Sequence, residues 1–424
     1  MKVTGIIAEY NPFHKGHQYH IEQARQITDS DFCVVVMSGD FVQRGEPALF
    51  SKYLRTRMAL TQGADLVLEL PSIFAVSSAE DFAACGVSLL SALGGVDTIC
   101  FGSEDGRIQN LQAAARLLSK EEEPFQTLLS QGLKEGLTWP QARNQAFITM
   151  NRENPGISLD THHLNLLLGS PNNLLGIEYC KAILRQNSSL SPVTIQRQGQ
   201  GYHDPSLEKG QASASALRQL LSQRKGEHND LQMLPGEILS HIPSSLVPLY
   251  TKEPVITPED LSELLNYALL TAIREGRDLT QYADLSEDLS HRLEHHLLRY
   301  QTWEGRIHQL KTRQYTYTRI SRSLLHLVLG ITKDEIRAGR KAGYAPYGRI
   351  LGFKKESGAL LSFLKQKTSI PLITKTAHGS KLLSGTALSM FHRDMYSSHL
   401  RQSIQAKKQA EPVCNEFTRP VCIL

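Results

Sequence analysis

Val3-Thr4-Gly5-Ile6-Ile7-Ala8 is a short apolar run, followed by a turn at Asn11-Pro12 and a helical pattern from about His17 to Thr28. A β-branched run, a proline turn and a 3.6-residue period predict strand, loop and helix in that order. The rhythm then repeats. Residues 32–37 are continuously apolar and stop at Ser38-Gly39-Asp40. Residues 51–63 read as a helix, with Leu54, Met58 and Leu60 on one side and Lys52, Arg55 and Arg57 on another, facing solvent or RNA. Residues 66–70 give a third strand, 78–93 a helix rich in Ala and Leu, and 98–101 a fourth strand ending at Gly102-Ser103-Glu104. Unbroken apolar strands alternating with helices suit a parallel sheet buried on both faces. The expected fold is therefore α/β, a doubly wound parallel sheet, with ligands at the carboxyl ends of its strands.

Further along the order loosens. Residues 107–150 have helical spacing and read as an inserted arm, taken to extend to about 165. Ser170-Pro171-Asn172-Asn173 opens a helix, 193–197 is a fifth strand ending in Arg197, and Ser213 to Arg218 starts another helix. Pro235, Pro243, Pro248 and Pro254 place a hinge within 222–256. Beyond 257 the pattern is mostly helical, over 258–276, 286–300, 301–311 and 316–330, and the tail after about 405 has little periodicity. These features predict a nucleotide-handling domain over 1–225, carrying the insertion at about 107–165, and a mostly α-helical domain over 226–424.

Composition narrows the class. The chain has 424 residues, 41% of them hydrophobic and 21% charged, which is an ordinary globular balance. No apolar run reaches the ~18 residues of a membrane span, and the start of the chain reads as a strand, not a signal peptide. Six scattered cysteines, with no CxxC, suit a reducing cytoplasm. The formal net charge of +4 hides an asymmetry. Residues 1–298 hold 24 Lys/Arg against 35 Asp/Glu, whereas 299–367 hold 15 against 4. A basic segment on an otherwise acidic protein points to a polyanionic partner, although a solvated basic face is the plainer alternative.

The chemistry gathers on the first loop. His14 and His17 lie three apart around Gly16, between a strand and a helix. A helix N-terminus offers free N–H groups and partial positive charge, and imidazoles add donors for a transferring phosphoryl group. The stretch Tyr10 to His20 resembles the signature of the HxGH nucleotidylyltransferase superfamily, which shares its fold with class I aminoacyl-tRNA synthetases. More narrowly, AEYNPFHKGHQYH, MSGDFVQRGEPALFSK (from Met37), FGSE (101–104), SPNN (170–173) and RQGQGYHD (from Arg197) resemble the bacterial tRNA(Met) cytidine acetate ligases.

That resemblance implies a nucleotidylyltransferase-like (HUP) catalytic domain. It makes His14 and His17 catalytic and gives ATP contacts to Ile7, Ala8, Glu9, Tyr10, Asn11, Pro12, Phe13, His14, Lys15, Gly16, His17, Gln18, Tyr19 and His20. Gly102, Asn172 and Arg197 join them; alone, Gly102 reads as a turn glycine and Arg197 as a surface arginine. Ser213 and Arg218 resemble the second superfamily signature, with Arg218 on the pyrophosphate, although alanines replace two small hydroxyl positions. Asp40, Gln43, Arg44 and Glu46 are candidates for the acceptor side.

The implied activity is ATP-dependent. Acetate forms acetyl-adenylate, which acetylates the wobble cytidine of elongator tRNA(Met), with Mg²⁺ carried by ATP and no dedicated metal site. In the basic segment Lys311, Arg313, Tyr315, Arg319, Arg322, Arg340 and Lys341 are the expected RNA contacts, with Tyr317, Arg337, Tyr344, Tyr347 and Arg349 beside them. Two alternatives stay open: a nucleotidylyltransferase for a small phosphorylated metabolite, and a non-catalytic tRNA-binding protein. The basic, tyrosine-bearing C-terminal half separates the first of these from the ligase.

Overall fold

The computed structural model describes residues 1–120, 122–153, 161–197, 214–223, 234, 236–299, 301–312 and 314–424. Five parallel strands form the centre: β1 (Val3–Ala8), β2 (Phe32–Ser38), β5 (Leu66–Leu70), β6 (Thr98–Ser103) and β7 (Ser191–Gln196). Their spatial order is β5-β2-β1-β6-β7. The chain thus winds outward from β1 in both directions, and the order reverses between β1 and β6. Between β2 and the next helix, β3 (Phe41–Val42) and β4 (Glu46–Pro47) make a small antiparallel hairpin.

The double winding follows from the two-residue alternation of strand side chains. Cys33, Val35 and Met37 of β2 enter one core with Ile21 and Ala24 of α1 (Lys15–Thr28) and Leu54 and Met58 of α2 (Lys52–Thr61). Val34 and Val36 enter the other, with Ile73 and Phe74 of α3 (Ser72–Ala75) and Phe82, Val87 and Leu90 of α4 (Ala79–Ala92). Gly5 of β1 lies under α4: a Cβ there would meet Leu90 Cδ1 at 2.7 Å, so only hydrogen fits.

The arm predicted between β6 and β7 is helical. It consists of α5 (Ile108–Lys120), α6 (Glu122–Lys134), α7 (Trp139–Glu153) and α8 (Thr161–Gly169), before α9 (Pro171–Arg185) returns to the sheet. Residue 197 follows β7, and α10 (Ala214–Ser222) begins one residue after Ser213, which lies outside the described residues.

The C-terminal half is mostly helical, as its periodicity predicts, with helices at Ser262–Arg274, Glu287–His295, Trp303–Leu310, Tyr317–Leu329, Lys333–Lys341 and Gly385–Gln409 among others. It also contributes strands that periodicity did not reveal. β8 (Gly348–Phe353) pairs antiparallel with β5, and β9 (Leu372–Ile373) and β10 (Cys422–Ile423) pair with β8. The sheet is therefore mixed at this edge. Leu351 of β8 joins one core, while Ile350 and a long series of mostly helical residues between Ile256 and Ile404 join the other. No helix among the described residues is long and apolar enough to cross a membrane.

Candidate active site

The carboxyl ends of β1 and β6 are where an α/β sheet with this strand order binds ligands. The loop from Glu9 to His14 leaves β1 there, and Gly102-Ser103-Glu104 ends β6 beside it. Tyr10 adopts a left-handed backbone (φ 49) and the Asn11–Pro12 peptide is cis. Tyr10, Phe13 and His17 then pack ring against ring, with centroids 4.8 to 5.5 Å apart.

His14 is the N-cap of α1. Gly16 N donates to its Nδ1 at 3.0 Å, and His14 N donates to His17 Nδ1 at 3.2 Å, a reciprocal capping box. Both Nδ1 atoms accept, so the neutral rings carry their proton on Nε2. The two imidazoles stack with centroids 3.8 Å apart at 26°. Burial, then the Arg197 charge, holds His14 down at about 3 and His20 at about 4. His17 is pushed well below its ordinary value by burial and by His14. The loop thus presents two parallel neutral donors. The expectation of free N–H groups at this helix start is corrected, because Lys15 N donates to His241 O at 2.9 Å and Gly16 N is taken by His14.

This neutrality has a thermodynamic consequence. Unfolded imidazoles titrate near pH ~6.5. Below that value the unfolded chain binds more protons than the folded one, so stability is full above it and falls as pH drops toward 4. The melting temperature is expected to decline between pH 7 and 5, and less steeply for His14→Asn, which keeps a capping side chain. Equal slopes for parent and variant in thermal scans would exclude the His14 imidazole as a source of the decline.

Arg197, just past β7, donates its backbone N–H to Ser103 O at 2.9 Å. Its side chain lies over Gly102, where a Cβ would come within 3.2 Å of Arg197 Cγ. Its positive charge is near enough to lower the pKa of all three imidazoles, although the residue itself is exposed. The FGSE and SPNN blocks meet in space. Glu104 accepts from Asn172 Nδ2 at 2.6 Å and from Asn173 N at 2.9 Å. Asn172 thereby sits at the turn after β6, at the start of α9. Arg218 on α10 donates to Asn11 O at 2.8 Å and to Ser215 Oγ at 3.0 Å, and pairs with Glu46 at 3.2 Å. Asn11 Nδ2 and His20 Nε2 are buried with no protein partner among the described residues, polar atoms that suit a polar ligand. On the outer face of α1, Tyr19 is exposed and Gln18 bonds Glu22.

Other expected positions fall differently. Lys52 and Arg55, read as facing solvent or RNA, are both 0% exposed. The helix turns them into the protein, where each finds partners that sequence spacing does not reveal. Lys52 Nζ reaches Glu69 at 2.8 Å, Glu416 at 3.2 Å and Ser398 Oγ at 2.6 Å. Asp40 is buried beside it and accepts from Lys52 N at 3.1 Å. Gln43 N donates to Glu9 at 2.8 Å, bringing the β3–β4 hairpin to the first loop. Burial, opposed by that amide and by Arg44, raises the Glu9 carboxyl above its ordinary value.

In the basic segment Lys311 and Lys341 are exposed, and Arg319 stands over the Tyr315 ring at 5.1 Å. Tyr315 itself is buried and bonds Ser286 Oγ at 2.8 Å. Arg322 pairs with Asp284 at 2.9 Å, Arg340 with Asp81 at 2.7 Å, and Arg349 is buried with Glu69 at 2.8 Å. Arg313 lies outside the described residues.

A stacked imidazole pair at the switch point of a parallel sheet defines a nucleotide-handling site. The chain belongs to the HIGH nucleotidyl transferase family, whose model matches residues 1–413. It is 38% identical over 405 residues to the tRNA(Met) cytidine acetate ligase of Halothermothrix orenii, covering 93% of this chain and 92% of that one. It is 35% identical over 432 residues to the protein of the same name from Acetivibrio thermocellus, covering 100% of both. Among solved structures, apo Thermotoga maritima TmcAL superposes with a TM-score of 0.89 at 28% identity, over 100% of both chains. TmcAL bound with alpha-thio ATP superposes with a TM-score of 0.87, also at 28% identity and full coverage.

Proposed function

We propose that the chain is an ATP-dependent acetate ligase that forms N4-acetylcytidine at the wobble position of elongator tRNA(Met). The observation that carries the reading is the convergence of the stacked His14 and His17 with Arg197 and Gly102 at the carboxyl ends of β1, β6 and β7. End-to-end likeness to named tRNA(Met) cytidine acetate ligases, and to a TmcAL crystallised with an ATP analogue, supports it.

A free carboxylate is a poor acyl donor, so acetate must first be made a mixed anhydride. Acetate oxygen attacks the α-phosphorus of ATP, the bond to the bridging oxygen breaks, and pyrophosphate leaves. The Nε2–H groups of His14 and His17 donate to phosphate oxygens as negative charge grows on them, and Arg197 adds a fixed positive charge. Gly102 leaves the room over the end of β6 that the Arg197 side chain takes. Mg²⁺ arrives with the triphosphate. The exocyclic amine of cytidine then attacks the acetyl carbon, and AMP leaves with the electron pair of the broken C–O bond while the amine loses a proton.

The two halves divide this labour: residues 1–225 perform the ATP chemistry and 226–424 present the RNA. Within the basic segment the exposed Lys311 and Lys341 are the most available to phosphates, while Arg322 and Arg340 are already held by carboxylates. The setting is the cytoplasm, where charged tRNA and ATP meet. Purified protein is expected to release pyrophosphate from ATP only with acetate present, and to release AMP and acetylate tRNA when tRNA is added. Pyrophosphate release with a phosphorylated metabolite but not with acetate would replace this reading with the small-metabolite one.

A further inference from the structure

The loop that carries the imidazoles is not self-supporting. Tyr10 holds a left-handed backbone that a non-glycine residue adopts only under constraint. No regular secondary structure spans Glu9 to His14. Its carbonyls are taken by side chains from three other parts of the chain. Arg55 Nη1 donates to Glu9 O at 2.6 Å, Arg218 Nη1 to Asn11 O at 2.8 Å, and the Tyr250 hydroxyl to Phe13 O. Leu49 N adds a donor to Asn11 Oδ1 at 2.9 Å.

Arg55 is the unusual member. It is fully buried on α2, and its hydrogen-bond partners are backbone carbonyls: Glu9 O, Ser38 O at 3.1 Å, Phe50 O at 3.1 Å and Gly39 O. One guanidinium thereby fixes the end of β1 against the end of β2. Burial lowers its pKa to about 10, so it stays charged at neutral pH. Tyr250 comes from a segment distant in sequence. It is fully buried, packs on Phe50 at 5.2 Å, and belongs to the segment whose Ser240 O and His241 O hold Lys15.

We propose that Arg55 and Tyr250 are positioning residues for the nucleotide reaction, holding the His14–His17 loop by its carbonyls so that both Nε2–H donors aim at one point. The hydrogen bonds of both side chains go to backbone carbonyls and not to an imidazole. Their effect passes through the backbone at Glu9 and Phe13, whose placement sets the direction of the His14 side chain one residue later. The inference rests on the phosphate reading of this loop, but the restraint itself does not depend on acetate being the acceptor.

The test uses the full-length chain with Tyr250→Phe, which removes one oxygen atom, and Arg55→Lys, which keeps the charge and loses the fork. Amide hydrogen exchange over 9–17 is expected to rise about tenfold in Tyr250→Phe, the size of one lost hydrogen bond, while exchange over 98–103 stays unchanged. With ATP, acetate and tRNA, kcat is expected to fall by about tenfold or more in each variant, with KM for ATP within about threefold, because misplacement costs the transition state more than the ground state. Unchanged exchange at 9–17 in Tyr250→Phe overturns the proposal whatever the substrate proves to be. So does a kcat within twofold of the parent in both folded variants. If the parent releases no pyrophosphate from ATP with acetate while Tyr250→Phe still loosens 9–17, the acetate reading fails and the restraint stands.

Discussion

His14→Ala and His17→Ala are each expected to slow AMP formation by about 10²–10³, the loss typical of removing one preorganised donor at a developing negative charge. The geometry explains why both matter. The rings are stacked 3.8 Å apart and lock each other through a reciprocal capping box, so each is a donor and also the other's support. The double variant is therefore expected to lose little more than the worse single one, because residues acting as a unit are not additive. Losing the cap costs only about 0.5–2 kcal/mol of stability, so the variants should remain folded and binding is measurable. Steady-state AMP release, with ATP affinity measured alongside, decides the matter. A single variant within tenfold of the parent, or a double variant showing the product of both losses, would break the assignment of the pair to one role.

The second large effect concerns stability. Glu416, near the end of the chain, accepts from Arg349, from Tyr53 OH at 3.1 Å and from Gln402 at 2.8 Å, and lies 3.2 Å from Lys52 Nζ. Burial opposes its charge, but Lys52 and Arg349 hold its carboxyl at about 2. Burial also opposes the Lys52 ammonium, yet Glu416, Glu69 and Asp40 raise its pKa overall. Removing one member of such a cluster strands buried charge. Glu416→Ala is expected to destabilise the protein by about 3–5 kcal/mol. Adding Lys52→Met should recover part of that loss, since the stranded cation is then removed as well. Thermal and urea unfolding of the three proteins measure this. If the double variant is no more stable than Glu416→Ala, charge pairing is not what Glu416 contributes.

Much of the first hundred residues was legible because buried parallel strands are written as largely apolar runs, interrupted in 66–70 only by Glu69. Residues 32–37, 66–70 and 98–101 all became strands, with ends moved by no more than two residues. The histidine loop was legible for a different reason: residue types and spacing carried it, and it lies where a strand hands over to a helix. What stayed hidden depends on partners distant in sequence. Arg55 has the spacing of a surface cation, and nothing nearby announces the carbonyls it serves. β8 is six residues with a glycine at each of positions 348 and 352, short enough to be lost among helices. Glu416 sits in an aperiodic tail. The tyrosines of the basic segment divide, since Tyr315 and Tyr347 are buried while Tyr317 and Tyr344 are partly so, and periodicity alone could not sort them.

The antiparallel join of β8 to β5 has a consequence for how the chain comes into being. Leu66–Leu70 is apolar but for Glu69, and its outer edge finds a partner only some 280 residues later in synthesis. A ribosome adding about 5–20 residues per second leaves that edge bare for tens of seconds. An uncovered hydrophobic strand edge invites pairing with a neighbour. The two ends of this sheet edge are not separable pieces, then: cutting the gene between β5 and β8 would yield a front part with a sticky seam.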